Sequence, residues 1–211
     1  MVGNELSEAS IYSTNAAHPE ITSYIGAYIS TGSSVSATEA FIAEMADYVK
    51  WYEFTRYNNI SLVSYSNDIR TDDIIDTPFL DFRSHNAYSY AVPYYRPSTQ
   101  SGSYSQTLFQ GWVEEIKSKY PTVPLLITEA EQMNGLLQNI NDISTSNLPI
   151  AGFCIHEYLD AWWKFGLEDS YTQDPNDIEE WFGLVKFSAS GSWYSTEFRN
   201  VYIGIQLTWG D

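Results

Sequence analysis

Apolar positions along this chain alternate between short continuous runs and longer stretches with helical spacing. That is the pattern of an α/β protein whose parallel strands are joined by helices. Val2–Asn4 reads as the tail of a strand. Ser36-Ala-Thr-Glu39 is a capping-box signature, and it predicts a long helix running through Phe41, Met45, Tyr48, Val49 and Tyr52. A buried strand is expected at Ile60–Tyr65, a short helical turn at Thr71–Ile75 and the next strand at Phe79–Ser84. Ser105–Tyr120 has Leu108, Trp112, Val113 and Ile116 on one helical face, and Pro121 ends it. Pro124–Thr128 is a compact apolar strand, Leu136–Ile143 a helix and Ile150–Ile155 another strand. Glu197–Leu207 closes the series as an amphipathic helix through Phe198, Val201, Tyr202 and Ile205. The count is five βα units in one domain spanning residues 1–211, with polar Ser/Gly-rich loops at Thr31–Ser36 and Pro97–Ser105.

Parallel strands joined by helices either close into a barrel or spread into an open, doubly wound sheet, and periodicity does not separate the two. The polar residues do more. Glu5, His85 with Asn86, Glu129 and Glu157 each fall at or just past the C-terminal end of an expected strand, the edge on which α/β barrels assemble their sites. An open sheet usually marks its switch point with a Gly-rich phosphate turn, and neither G-x-G-x-x-G nor G-x-x-x-x-G-K-[ST] occurs.

Composition narrows the partners. The 17 Tyr, 10 Phe and 7 Trp are more aromatic side chains than a core of this size needs, so some rings are expected to face solvent or ligand. The apolar face of a pyranose packs on such rings while its hydroxyls find polar partners. A formal net charge of −17 disfavours nucleic acid and other polyanions, which the long-range field repels. Cys154 is the single cysteine, which excludes an intrachain disulfide and a multi-cysteine metal site. His18, His85 and His156 lack metal-ligand spacing, so no metal is expected. No apolar run approaches the roughly 20 residues of a membrane span, and Met1 followed by Val-Gly-Asn-Glu does not read as a secretory leader.

Cleavage of a glycosidic bond requires a carboxylic acid that protonates the leaving oxygen and a carboxylate across the anomeric carbon. Glu5 in Val-Gly-Asn-Glu-Leu and Glu129 in Pro-Leu-Leu-Ile-Thr-Glu, each at a strand end, are the candidate pair. With these residues the chain resembles the clan A glycoside hydrolases, barrel enzymes whose acid/base glutamate follows an Asn on the fourth strand and whose nucleophile ends the seventh. Val2-Gly-Asn-Glu5 is similar to the fourth-strand motif, and Asp81-Phe-Arg-Ser-His-Asn-Ala-Tyr-Ser-Tyr90 to the sixth-strand segment. Leu125-Leu-Ile-Thr-Glu129 resembles the seventh strand. Gly152-Phe-Cys-Ile-His-Glu-Tyr-Leu-Asp-Ala-Trp-Trp-Lys164 resembles the eighth, and Glu179-Glu-Trp-Phe-Gly-Leu-Val185 the segment after it. β-1,3-Glucan hydrolases and the related glucanosyltransferases are the nearest in pattern.

The resemblance implies a (β/α)8 barrel represented by its fourth to eighth units, with the first three missing. It implies a retaining hydrolase or transglycosylase of β-glucan, with Glu5 as acid/base, Glu129 as nucleophile and no cofactor. Asn4 would bond the sugar 2-hydroxyl, Tyr88 would hold the nucleophile by its phenol or be an ordinary half-buried Tyr, and Trp162 and Trp163 would floor the cleft or pack under a loop. Glu157 would contact sugar hydroxyls or pair with a basic side chain, Asn86 would line the site, and His85 and His156 would be structural or cleft-lining rather than catalytic. Five units leave open strand edges, so another chain or a missing N-terminal segment is expected to complete the barrel, and the chain alone is expected to fold poorly or lack activity. The alternative is a non-catalytic structural or carbohydrate-binding protein built from a partial barrel. A glucan substrate and the sequon at Asn59-Ile-Ser61 suit an extracellular or cell-wall setting.

Overall fold

The computed structural model describes residues 1–88, 107–130, 133–146, 148–161, 164, 174, 176, 178–190 and 193–209. Helix α1 (Glu8–Ala17) starts at Ser7, whose hydroxyl accepts from the Ser10 amide at 3.2 Å. Its Ser/Ala/Asn-rich sequence buries only Ile11 and carries no apolar period, so pattern reading passes over it. Helix α2 (Ala37–Tyr57) opens on the expected box: the Ser36 hydroxyl accepts from the Glu39 amide, and the Glu39 carboxylate accepts from the Ser36 amide. It ends where Asn58 turns left-handed at φ 51°.

Four parallel strands form one sheet in the order β1 (Ser66–Asp68), β2 (Arg83–Ala87), β3 (Leu125–Ala130) and β4 (Gly152–Phe153). Outside β1, Asn4 pairs in parallel with Ser66. A doubly wound sheet reverses its order at a switch point, and this row has no reversal. Neither do these strands close on themselves: the described residues form a mixed α/β fold with a row of parallel strands. Helices α3 (Leu108–Lys119) and α4 (Met133–Ser146) connect β2, β3 and β4. α3 has its own capping box, Thr107 with Gln110. Phe109, Trp112, Val113, Ile116, Leu136 and Ile140 pack with Leu125 and Ile127 in one buried cluster. A second cluster, under α1 and α2, gathers Ile11, Ile42, Ala43, Ala46, Val63 and Tyr65.

Several strands lie later along the chain than the apolar runs suggest. The runs at Ile60–Tyr65 and Phe79–Ser84 lead into β1 and β2, which are themselves polar: Ser-Asn-Asp and Arg-Ser-His-Asn-Ala, all buried. Most of these residues tolerate burial by finding partners, although Arg83 Nε and the His85 ring nitrogens make no hydrogen bond. Arg83 pairs with Asp76 and lies 3.6 Å from the centroid of the Tyr120 ring, while Ser84 bonds Ser64 and the Tyr65 carbonyl. The turn expected at Thr71–Ile75 is present, with the Ile74 and Ile75 amides donating to the Thr71 carbonyl at 3.0 and 3.1 Å, and a 3-10 turn at Ile69–Thr71 leads into it.

The last helix also begins later. Glu197 and Phe198 belong to strand β6 (Trp193–Phe198), which forms an antiparallel hairpin with β5 (Val185–Ser190), and α5 spans Asn200–Trp209. Trp-Tyr-Ser-Thr-Glu-Phe is rich in strand-forming aromatic and β-branched residues, which win locally over helical spacing. On α2 the expected apolar face is the wrong one. Ala40, Ala43, Ala46 and Asp47 are buried, whereas Phe41, Tyr48 and Tyr52 are exposed. No helix among the described residues is long and apolar enough to cross a membrane.

Candidate active site

The segment ending in Asn4 and Glu5 is fastened to β1 by three backbone hydrogen bonds: Val2 N to Ser64 O, Ser66 N to Gly3 O and Glu5 N to Ser66 O. Gly3 lets the segment pass close to Tyr65: a Cβ there would stand 3.1 Å from the ring, which would have to shift by a few tenths of an ångström. Tyr65 in turn accepts the Leu6 amide on its phenol oxygen at 2.8 Å. Glu5, bracketed by these bonds, takes a left-handed conformation at φ 45°, uncommon for a residue with a side chain. Surroundings that enforce such a backbone aim the side chain. Burial raises the Glu5 pKa above the ordinary glutamate value; the Asn86 side chain, by hydrogen bonding, and Arg70, by charge, oppose this rise, and the Glu129 and Asp68 carboxylates add to it.

Glu129 reaches the same place from β3. The pairing of β2 with β3 slips between His85 and Asn86, so that Asn86 stands opposite Glu129. Around them runs a directed chain of hydrogen bonds. Ser66 and Thr128 hydroxyls donate to the Asn86 carbonyl at 2.7 and 2.8 Å. The Asn86 amide donates to the Asn4 carbonyl at 3.0 Å, and the Asn4 amide to Glu129 Oε1 at 3.5 Å. The Tyr88 phenol donates to Glu129 Oε2 at 2.5 Å. Burial raises the Tyr88 pKa, and its bond to Glu129 adds to the rise, so the phenol stays a donor.

Glu5, Tyr88 and Glu129 line a cleft of about 240 Å³ together with Asp68, Arg70 and His156. Glu179 and Phe182 form another part of its wall. Asn4 and Asn86 sit behind the carboxylates in the bonded chain.

Two expected residues are elsewhere. His85 is 1% exposed, with Nδ1 2.9 Å from Asp72 and its ring edge-on to Trp112. Successive strand residues point to opposite faces, so His85 turns to the α3 side while Asn86 turns to the cleft. Glu157 does not line the cleft; it faces Lys164 at 3.7 Å, and His156 lines the wall instead. Trp162 and Trp163 lie outside the described residues.

No protein-family model matches this chain, and no curated protein matches it in sequence. Among solved structures, a beta-glucosidase from Exiguobacterium marinum is similar over 75% of this chain, at 12% identity and a TM-score of 0.39. The chain spans 55% of that structure's length. The likeness is loose in sequence and in shape, and the site is read from its own geometry.

That geometry offers two carboxyl groups in unlike surroundings, the condition for one to act as an acid while the other acts as a base or nucleophile. Pattern reading missed Asp68, Arg70, Glu179 and Phe182. Asp68 and Arg70 follow directly on the run ending at Tyr65, one strand length further than that run suggests. Glu179 and Phe182 stand in the Glu-Glu-Trp-Phe-Gly segment, where a position past the last parallel strand was the available signal.

Proposed function

We propose that this chain is the catalytic-type part of a retaining glycoside hydrolase or transglycosylase acting on β-glucan, with β-1,3-glucan favoured. The observation that carries this reading is the pairing of Glu5 with Glu129 in one cleft. Glu129 is gripped by Asn4 and Tyr88, while burial and the neighbouring carboxylates keep Glu5 protonated to higher pH. Glu5 protonates the glycosidic oxygen as the bond to the anomeric carbon breaks, and Glu129 attacks that carbon to form a glycosyl ester. Glu5, now ionised, takes a proton from water or a sugar hydroxyl, which displaces Glu129. The hydrogen bonds from Asn4 and Tyr88 fix the nucleophile's position before substrate arrives. The chemistry is that of two carboxylates and needs no cofactor.

In this reading the row of strands is one wall of a (β/α)8 barrel, and the rest comes from further chain or from another chain. Two features support such a cover. The free side of the Val2–Asn4 segment carries no strand among the described residues. Helix α2 exposes Phe41, Tyr48, Trp51, Tyr52, Phe54 and Tyr57 between its charged residues, more apolar surface than a solvent-facing helix ordinarily carries. The same aromatic face favours the second reading, a non-catalytic assembly or carbohydrate-binding protein. An extracellular or cell-wall setting follows from the substrate.

Hydrolysis of an aryl β-glucoside by the full-length protein and its Glu5→Gln and Glu129→Gln variants tests the catalytic reading. Loss of turnover with sugar binding retained supports it; unchanged behaviour in both variants favours the assembly reading.

A further inference from the structure

A second cavity, of about 460 Å³, shares no lining residue with the carboxylate cleft. One wall is the start of α2, where Ala37, Ala40, Phe41 and Glu44 stand three or four residues apart and so share a helix face. The two alanines leave room there that a longer side chain would fill. Ile21 and Tyr24, from the segment that follows α1, line the cavity as well.

These walls are braced from behind, so the cavity is formed before anything enters it. The Thr38 amide and hydroxyl both donate to Asn15 Oδ1, at 3.0 and 2.8 Å, which bolts α1 to the first turn of α2. The Ile21 amide donates to the His18 carbonyl at 3.1 Å and turns the chain back from the end of α1. Tyr24 is held at its backbone and at its tip. Its amide donates to the Thr31 hydroxyl at 2.7 Å, its carbonyl accepts from the Thr31 amide at 2.9 Å, and its phenol donates to Asp47 Oδ2 at 3.3 Å. Asp47 is itself fixed on α2 by the Tyr28 and Ile29 amides, at 2.6 and 2.7 Å.

The charge of the cavity has one sign. None of its lining residues is Lys or Arg, and the Glu44 carboxylate has no hydrogen bond or ion pair among the described residues. Burial raises the Tyr24 pKa above the ordinary tyrosine value, and the Asp47 and Glu44 carboxylates raise it further, so the field at the phenol is negative. His18, also in the lining, has Glu20 3.7 Å away. The positive end of the α2 dipole favours an anion, but Glu39 in the first turn and Glu44 in the second counter it. Phe41 and Tyr24 add aromatic surface, which attracts cations, and the formal net charge of −17 draws them in from a distance. We infer that this cavity binds an organic cation, a protonated amine on a short apolar stem, with the ammonium at Glu44 and the stem against Phe41, Ile21 and the two alanines. The Thr14 and Ser23 hydroxyls of the lining supply further acceptors for the ammonium hydrogens.

The test is titration of the full-length protein at pH 8 with n-hexylammonium, hexan-1-ol and hexanoate, which share a stem and differ in charge, followed by NMR of the ligand. Hexylammonium is expected to bind about tenfold more tightly than hexanol, and hexanoate more weakly than either. Glu44→Gln is expected to weaken hexylammonium binding about fivefold. Phe41→Leu, which keeps apolar bulk and removes the π-face, is expected to weaken it about threefold. Both side chains are exposed on α2, so neither variant is expected to lose the fold. Hexanol or hexanoate binding as tightly as hexylammonium, or unchanged hexylammonium affinity in either variant, would overturn the site. The blocked peptide acetyl-Gly-Lys-Gly-amide presents the same cation on a polypeptide. Tighter binding of the peptide than of hexylammonium would identify the occupant as a partner's lysine side chain, and weaker binding would identify it as a free amine.

Discussion

Two regions of this molecule break the ordinary rule of apolar inside and polar outside, in opposite senses. At the C-terminal edge of β1–β3, Ser66, Asn67, Asp68 and Asn86 are buried polar residues, and each is held by a named partner. On the outer face of α2, Tyr48, Trp51 and Tyr52 are large apolar side chains left about half exposed. In the first region these four residues are all answered inside the fold, while next to Asn86 the His85 ring nitrogens make no hydrogen bond. The second is answered by nothing among the described residues beyond ring contacts along the helix, such as Tyr48 with Trp51 at 5.5 Å. Buried polarity that is satisfied suits a site, whereas exposed apolar surface of this extent suits the further cover that the proposed barrel would supply.

The comparison sharpens under mutation. The largest effect is expected at the carboxylates: Glu129→Gln lowers turnover of an aryl β-glucoside by about a thousandfold or more while leaving the unfolding midpoint nearly unchanged. A parallel loss of stability would mean that Glu129 is a structural acceptor. Next, Asn86→Ala strips the acceptor from Ser66 and Thr128 and the donor from Asn4. Urea unfolding is expected to show a loss of about 3 kcal/mol, and a loss below about 1 kcal/mol would show that the bonded chain contributes little. Tyr88→Phe removes one hydrogen bond to a charged group and is expected to cost about 1.5–3 kcal/mol in transition-state stabilisation, read from kcat/KM.

Glu5 gives a smaller effect with a definite sign. Its folded pKa is raised, so the folded chain binds more protons than the unfolded one across that interval. Its contribution to stability is therefore full below the ordinary glutamate pKa and declines as pH rises through the raised value. Glu5→Gln is expected to flatten that decline, seen by comparing unfolding midpoints from pH 4 to 8; an unchanged slope would assign the decline to other groups. The smallest effect is expected on α2. Tyr48→Ser with Trp51→Ser changes the stability of the isolated chain by no more than about 0.5 kcal/mol. Where a cover is present the same pair weakens its association, and a large loss without one would show that the face is already packed.

How much of this was legible in the sequence differs between the same two regions. The Ser36–Glu39 box fixed the start of α2, but the identity of its buried face was hidden. Alanines, with Asp47 accepting from the Tyr28 and Ile29 amides, take the inner side and aromatics the outer, the reverse of the usual moment. Strands β1 and β2 were placed early along the chain because their own residues are polar and read as loop. Asn86 and Glu129 could be foreseen at strand ends, but the slip between His85 and Asn86 that sets them opposite each other has no local signature. Whether His85 is structural or lines the cleft was open for the same reason: one residue of register decides which face a strand side chain takes. Phe182 lies in a segment without period, and only its contacts with Tyr88 and His156 place it in the cleft wall.

The central claim, that Glu5 and Glu129 act as a retaining pair, is tested most directly by trapping. A 2-deoxy-2-fluoro-β-glucoside with an activated leaving group slows breakdown of a glycosyl ester more than its formation, and peptide mass spectrometry then finds the modified carboxylate. The account expects the fluoroglucosyl mass on the peptide containing Glu129, and only there. An adduct on another carboxylate, or steady turnover of β-glucosides with no adduct at all, would contradict it.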